Sequence, residues 1–295
     1  MNFLDIGSGL CRYPLYRLRS LTLGADGMAG QSEHNWFCSE QQRQEAVNRL
    51  LLLPQTGLRA AILRGASGMG RTRVLQQVRS ESAQLGIISL LVNLQELACG
   101  DVLQYCCKSL SRSGSGLSGR SCREELLQEF QLQLRAMAAC GKRTLLLLDD
   151  LQLQNSGADD LLQMLITISN DQLNSLTLVC ATTDAVPDAL TETVFMPVEI
   201  GAMTAAASSA FLLEHLANCG VSEDYLEPAD IELLVTAAAG VPRSLMQIGE
   251  LLQVHAAVWS NESPSTTEVL EILEHLSLAS SQNNDPGDQL PRRSA

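Results

Sequence analysis

Residues 65–72 read Gly65-Ala66-Ser67-Gly68-Met69-Gly70-Arg71-Thr72, a spacing of glycines, cation and hydroxyl suited to capturing phosphate. Glycines permit a backbone in which several N–H groups converge on one anion, the cation neutralises outer phosphate oxygens, and the hydroxyl serves a magnesium ion. The usual cation in this pattern, G-x-x-x-x-G-K-[ST], is lysine, and Arg71 stands in its place. A guanidinium is a broad planar fork, so it keeps the charge without filling the slot of a compact ammonium. The expectation is binding of a phosphorylated ligand with impaired cleavage.

A second group lies 77 residues beyond Thr72, where the apolar run Thr144–Leu148 ends in Asp149 and Asp150. In an α/β fold the two strand ends are expected side by side. Thr72 and Asp149 would then share a magnesium ion while Asp150 orients an attacking water; the plainer alternative for the acidic pair is a helix N-cap. The apolar run Leu176–Ala181 leads into Thr182, Thr183 and Asp184, polar groups placed to sense a terminal phosphate or simply to form a turn. Gly240-Val241-Pro242-Arg243 puts Arg243 in the first turn of a helix, where the dipole does not favour a cation. A nucleotide phosphate would supply its partner; solvent is the bland alternative.

The elements around these groups alternate. A helix is expected from Ser39 as N-cap to Pro54, then a strand at Ala60–Leu63, the glycine loop, and a helix carrying Val74, Leu75 and Val78. Further strands are expected at Ile87–Val92, Thr144–Leu148, Leu176–Ala181 and Val194–Ile200, with helices at Val102–Leu110 and Glu124–Ala139. Strands alternating with helices imply a parallel sheet covered on both faces. Beyond Ile200 the pattern is helical throughout: Ala205–Ala217, Pro228–Ala239, Pro242–Val258 and Thr267–Leu278. The chain therefore divides into a loosely structured leader (1–35), an α/β domain (36–201), a small all-α lid (202–278) and a disordered tail (279–295). The Ser/Gly/Arg stretch 111–121 reads as a surface loop.

Composition narrows the classes. With 295 residues, 45% apolar, 18% charged and a net charge of −13, the chain is long enough for a full core and disfavours generic attraction to nucleic acid or anionic membrane. Arg112, Arg120 and Arg123 around the Ser/Gly stretch are a local exception. The nine cysteines form no C-x-x-C pair and read as reduced core residues, with no metal spacing at Cys106–Cys107. His34, His215, His255 and His275 are isolated and are expected at the surface or core edge, so no hydrolase triad is arguable. No run reaches membrane-spanning length, which makes the cytoplasm the expected compartment and excludes direct membrane insertion.

Taken together, these residues resemble the AAA+ ATPases of the general-secretion ExeA type across roughly residues 36–258. The resemblance rests on Trp36, Phe37, Ser39, Glu40, Glu45, Ala46 and Leu50, on the glycine loop, on Leu148-Asp149-Asp150-Leu151-Gln152, and on Gly240-Val241-Pro242-Arg243. It implies a P-loop NTPase fold with a helical lid, residues 65–72 as Walker A, Asp149 and Asp150 as Walker B, Thr182 or Thr183 as sensor 1 and Arg243 as sensor 2. It also implies ATP and magnesium as ligands and action through oligomers; a homo-oligomer and a protein partner that reads the lid are the accompanying expectations. The departures are Arg71 for lysine, the short Asp150, and Thr193 where a Leu-x-x-Arg pattern expects arginine. The leading expectation is an ATP-binding protein weak in hydrolysis. Alternatives are an active secretion or envelope-assembly motor, a transposition-helper-like DNA-associated ATPase, and a scaffold with a vestigial pocket; nucleic acid is not an expected partner.

Overall fold

A computed structural model describes residues 40–111, 122–152, 157–171, 175–183, 195–259 and 263–282. The leader 1–35, Trp36, Phe37, Ser39, residues 112–121, Asp184, Thr193 and the tail from 283 lie outside them. In chain order the elements are α1 (Gln41–Thr56), β1 (Ala60–Arg64), α2 (Arg71–Gln84), β2 (Ile88–Asn93), α3 (Val102–Leu110), α4 (Arg123–Ala139), β3 (Thr144–Asp149), α5 (Ala158–Asn170), β4 (Leu176–Thr182) and β5 (Phe195–Glu199). They continue as α6 (Ala205–Asn218), α7 (Pro228–Ala238), α8 (Pro242–Val258) and α9 (Thr266–Gln282).

β3 and β4 are buried at every position, the signature of parallel strands covered on both faces. The sheet order is β2-β3-β4-β1-β5, and every pairing is parallel. Alternation along the strands divides the core. Ile62, Leu90, Val92, Leu146, Leu148, Leu178 and Cys180 pack with Phe130 and Leu134 of α4 and Leu161 and Leu165 of α5. The opposite face meets α1 and α2, which contact the sheet and bury Val47, Leu50, Val74 and Val78. Among the described strands β5 is outermost on one side, and it carries Pro197, a residue tolerated in an outer strand.

Several local expectations change. Pro54 does not close α1; it lies inside a helix that runs to Thr56 before the left-handed Gly57. One missing N–H in the last turn forfeits a single hydrogen bond, less than burial of Leu50, Leu51 and Leu53 returns. The cap of α1 is Glu40, whose carboxylate accepts from the Arg43 N–H at 3.3 Å. α5 has no counterpart in the sequence reading, because Ile166, Thr167, Ile168 and Ser169 are indifferent helix formers and the burial of Leu161, Leu162 and Leu165 decides the matter. α9 continues to Gln282, past the expected end at Leu278.

α6 to α9 pack on one another and share one compact unit, Ser39–Ala295, with the sheet. Two histidines expected at the periphery are buried here, His215 and His255. His255 Nδ1 lies 2.6 Å from the hydroxyl of fully buried Tyr225, its Nε2 is 3.4 Å from the Glu268 carboxylate, and its ring stacks on Trp259 at 4.5 Å. The helix spacing hid this cluster, since its members come from three separate segments. Among the cysteines Cys106, Cys107 and Cys180 are buried, but Cys122 and Cys140 are exposed, so the core expectation holds only in part. Burial pushes the Cys106 and Cys107 thiols up to about 12 and about 11, which keeps them protonated. No described helix is long and apolar enough to cross a membrane.

Phe130, fully buried between α4 and the sheet, is a sensitive reporter of this core. Phe130→Ala should cost about 3–5 kcal/mol, read as a lowered urea midpoint with an unchanged slope.

Candidate functional site

The carboxyl edge of the sheet gathers the polar strand ends: Asn93 of β2 in register with Asp149 of β3, and Arg64 of β1 in register with Thr182 of β4 and Glu199 of β5. The expectation that the ends of β1 and β3 adjoin is not met, because β4 lies between them. Thr182 is therefore interposed between the glycine loop and the acidic pair, and it is fully buried, while Thr183 beyond it is exposed. Crevices at this edge of an open parallel sheet are where α/β folds receive ligands.

Residues 65–70 connect β1 to α2, so the free N–H groups of the first turn of α2 and its dipole point toward the loop. Thr72, exposed in that turn, hydrogen-bonds the carboxylate of Asp149, which is 2% exposed. The structure thus brings together the two residues expected to share a metal. Burial pushes the Asp149 carboxyl above the usual carboxylate range, against the opposing pull of the Thr72 hydroxyl. A second Asp149 contact comes from the Asp150 N–H at 3.0 Å, and Asp150 itself holds a left-handed backbone at φ 51°. That conformation costs a non-glycine residue about 1–2 kcal/mol.

Arginines from three elements hold the loop. Arg71 of α2 turns inward: Nη1 donates to the Gly65 carbonyl at 2.8 Å and Nη2 to the Asp150 carboxylate at 3.1 Å. Its fork therefore reaches from the end of β1 across to the end of β3. Arg243, in the first turn of α8, donates through Nη1 to Ser67 Oγ at 3.2 Å and through its backbone N–H to the Gly68 carbonyl at 3.2 Å. Gly68 sits at φ +82°, and a Cβ there would approach Val241 Cγ1 to 3.0 Å and Arg243 Cβ to 3.1 Å. A glycine is required both by the backbone and by the seat of α8. The partner that sequence reasoning expected for Arg243 in a nucleotide is, in this state, the loop itself.

Arg43 of α1 was missed. It is 4% exposed, pairs with Glu40 at 2.7 Å, and donates through Nη2 to the carbonyls of Met69 and Gly201, each at 3.1 Å. A sequence signal existed: Arg43 lies on the same helical stripe as Ala46, Val47 and Leu50, where a cation is out of place. Together these groups bring three guanidinium side chains to one loop, two of them paired with the carboxylates of Glu40 and Asp150.

Residues 56–186 match a family model described as an AAA domain. The fold resembles the Aeropyrum pernix Orc1 protein in complex with DNA at 15% identity, covering 82% of this chain and 66% of that one, with a TM-score of 0.59. It resembles Cdc6p from Pyrobaculum aerophilum at 15% identity, covering 78% and 66%, with a TM-score of 0.61. A point mutant of RuvB from Thermotoga maritima is similar at 17% identity, covering 82% and 71%, with a TM-score of 0.56. This chain spans just under two thirds of the Orc1 and Cdc6p chains. At such identities the likeness is one of fold, and the fold is the α/β architecture of AAA+ P-loop NTPases. No curated protein matches by sequence.

Two outcomes follow from the geometry. Gly68→Ala should destabilise the fold by about 1–2 kcal/mol in chemical denaturation and speed amide exchange at the start of α8, because the added methyl meets both strain and Val241. Asp149→Asn should raise the thermal midpoint of the ligand-free protein by about 2–4 °C near neutral pH. The sign follows from the raised carboxyl: the folded state binds the proton more tightly than the unfolded chain, so ionisation of Asp149 opposes folding as pH rises. The benefit of asparagine should accordingly shrink below about pH 4, and melts across pH would reveal an unchanged difference if burial were not the cause.

Proposed function

We propose that this chain binds ATP with magnesium at the loop 65–72, hydrolyses it slowly, and passes the nucleotide state through α6–α9 to a protein partner, acting in homo-oligomers. The observation that carries the reading is the fork of Arg71 held between the Gly65 carbonyl and Asp150. In this arrangement the cation of the loop neutralises the carboxylate best placed to orient water. A triphosphate seated on the loop amides from Ala66 to Thr72 offers Arg71 stronger acceptors and must draw Nη2 away from Asp150. Until it does, Asp150 Oδ1 gives one of its acceptor sites to a guanidinium in place of a water molecule.

The hydroxyl of Thr72 and the carboxylate of Asp149 form a hard-oxygen donor pair of the kind magnesium takes, and that ion would neutralise phosphate charge when bound. Because burial disfavours the ionised Asp149, capture of the ion should strengthen as pH rises. Thr182, at the buried end of β4, is assigned to sense the terminal phosphate, with exposed Thr183 as the second candidate. Arg243 would exchange Ser67 for phosphate, which moves the N-terminus of α8 and so the helical region behind it.

Calorimetry with ATP and magnesium, followed by phosphate release on the same sample, tests the reading. The expectation is binding at roughly micromolar Kd with turnover far below the about 1–100 s⁻¹ of efficient phosphoryl-transfer enzymes. Arg71→Lys should raise turnover about tenfold or more, equivalent to about 1.4 kcal/mol of barrier. Absence of nucleotide binding would leave a scaffold. Rapid turnover abolished by Asp149→Asn would instead favour the secretion-type motor that the ExeA-like motifs imply.

One observation favours a second reading. The acidic charge balance argues against nucleic acid, yet the likenesses do not support excluding it, since the Orc1 structure is a complex with DNA. A DNA-associated ATPase would show retention on duplex DNA that weakens steeply with salt.

A further inference from the structure

We infer that Arg43 is a positioning residue that couples the glycine loop to the connector between the sheet and the helical region, an inference that rests on the nucleotide reading above. A buried cation is costly unless it is paired and its donors are used. Arg43 meets that cost unevenly. Glu40 compensates the charge, Nη2 is shared between two carbonyls from distant segments, and buried Nε has no hydrogen-bond partner. A residue serving stability alone would gain more from an apolar side chain at this position of the buried stripe of α1.

What the fork does join is specific. Met69 lies in the middle of the loop and Gly201 two residues beyond the end of β5. The neighbouring Gln42 grips the same connector, its Oε1 accepting from the Gly201 N–H at 3.2 Å. The connector continues to Met203, whose N–H donates to the Gly240 carbonyl at 2.8 Å. Gly240 is at φ +71°, and a Cβ there would collide with the Met203 backbone, so the two segments are in direct contact. Three residues on, the Arg243 N–H returns to the Gly68 carbonyl at 3.2 Å.

These contacts close a circuit: Met69 to Arg43, Arg43 to Gly201, Met203 to Gly240, and Arg243 back to Gly68. The loop therefore reaches the helical region by two routes, one direct through Arg243 and one through α1. A displacement of Met69 and Gly70 on phosphate capture pulls on Arg43 and through it on the connector that α6 follows. Nη1 holds Glu40 while Nη2 serves both carbonyls, and a lysine ammonium, being a single nitrogen, keeps the charge and its carboxylate partner but cannot occupy both places at once.

The test is amide hydrogen exchange on the full chain, with and without ATP and magnesium, for wild type and Arg43→Lys, alongside calorimetric Kd. In wild type, nucleotide should slow exchange about threefold or more both in the loop and at 201–204 with 240–243. In Arg43→Lys, protection of the loop should persist with Kd weakened by less than about tenfold, equivalent to about 1.4 kcal/mol, while the connector response is lost. A purely structural Arg43 would lower the thermal midpoint and weaken Kd together and leave the connector response intact, which overturns the coupling. If wild type binds no nucleotide, the functional reading fails separately. The coupling is then read in the ligand-free protein, where Arg43→Lys should speed exchange at Met203, and an unchanged rate overturns it. Should Arg43→Lys not fold, Arg43→Met carries the test, since an apolar side chain suits the buried stripe of α1 and releases both Met69 and Gly201. Faster exchange at 201–204 and a lost connector response with nucleotide still bound support the circuit, and an unaltered response overturns it.

Discussion

A guanidinium can serve two acceptors only at a fixed angle, and the carboxyl edge of this sheet is organised around that constraint. Arg71, Arg243 and Arg43 hold the loop at Gly65, at Ser67 with Gly68, and at Met69, and they arrive from α2, α8 and α1 respectively. Carbonyls cannot satisfy one another, and here guanidinium groups take those of Gly65 and Met69 while the Arg243 backbone N–H takes that of Gly68. The loop is consequently a shared possession of the sheet, the first helix and the helical region. Its shape cannot change without consequence for all of them.

The same constraint gives the Lys-to-Arg departure its meaning. An ammonium has no planar fork with which to hold the Gly65 carbonyl and Asp150 together at 2.8 and 3.1 Å. Arg71 does both, and the result is a resting state in which the acidic pair is divided in its duties, Asp149 turned toward Thr72 and Asp150 toward the loop.

Much of the fold was legible because the physics was local. Leu145 to Leu148 form a continuous apolar run that only a strand covered on both faces accommodates, and the glycine loop announces its own turn. The interposition of β4 between β1 and β3 was not legible, since strand order depends on how crossovers pack and leaves no mark in a single segment. Arg43 could have been noticed as a cation on the apolar stripe of α1, but its acceptors are 26 and 158 residues away. The Tyr225, His255 and Glu268 cluster escaped for the same reason: each looks ordinary until three segments converge. α5 was lost where weak helix propensity met strong burial.

Pro197 in β5 bears on how copies of the chain could come together. A strand arriving at that free edge would find a position with no N–H to offer, and the ladder would be interrupted where it should propagate. Among the described strands, growth of the sheet from one molecule into the next is thereby disfavoured on this side. Contacts between copies on this side would fall to helix faces and loops, surfaces that can slide and reorient without unzipping the sheet that carries the loop.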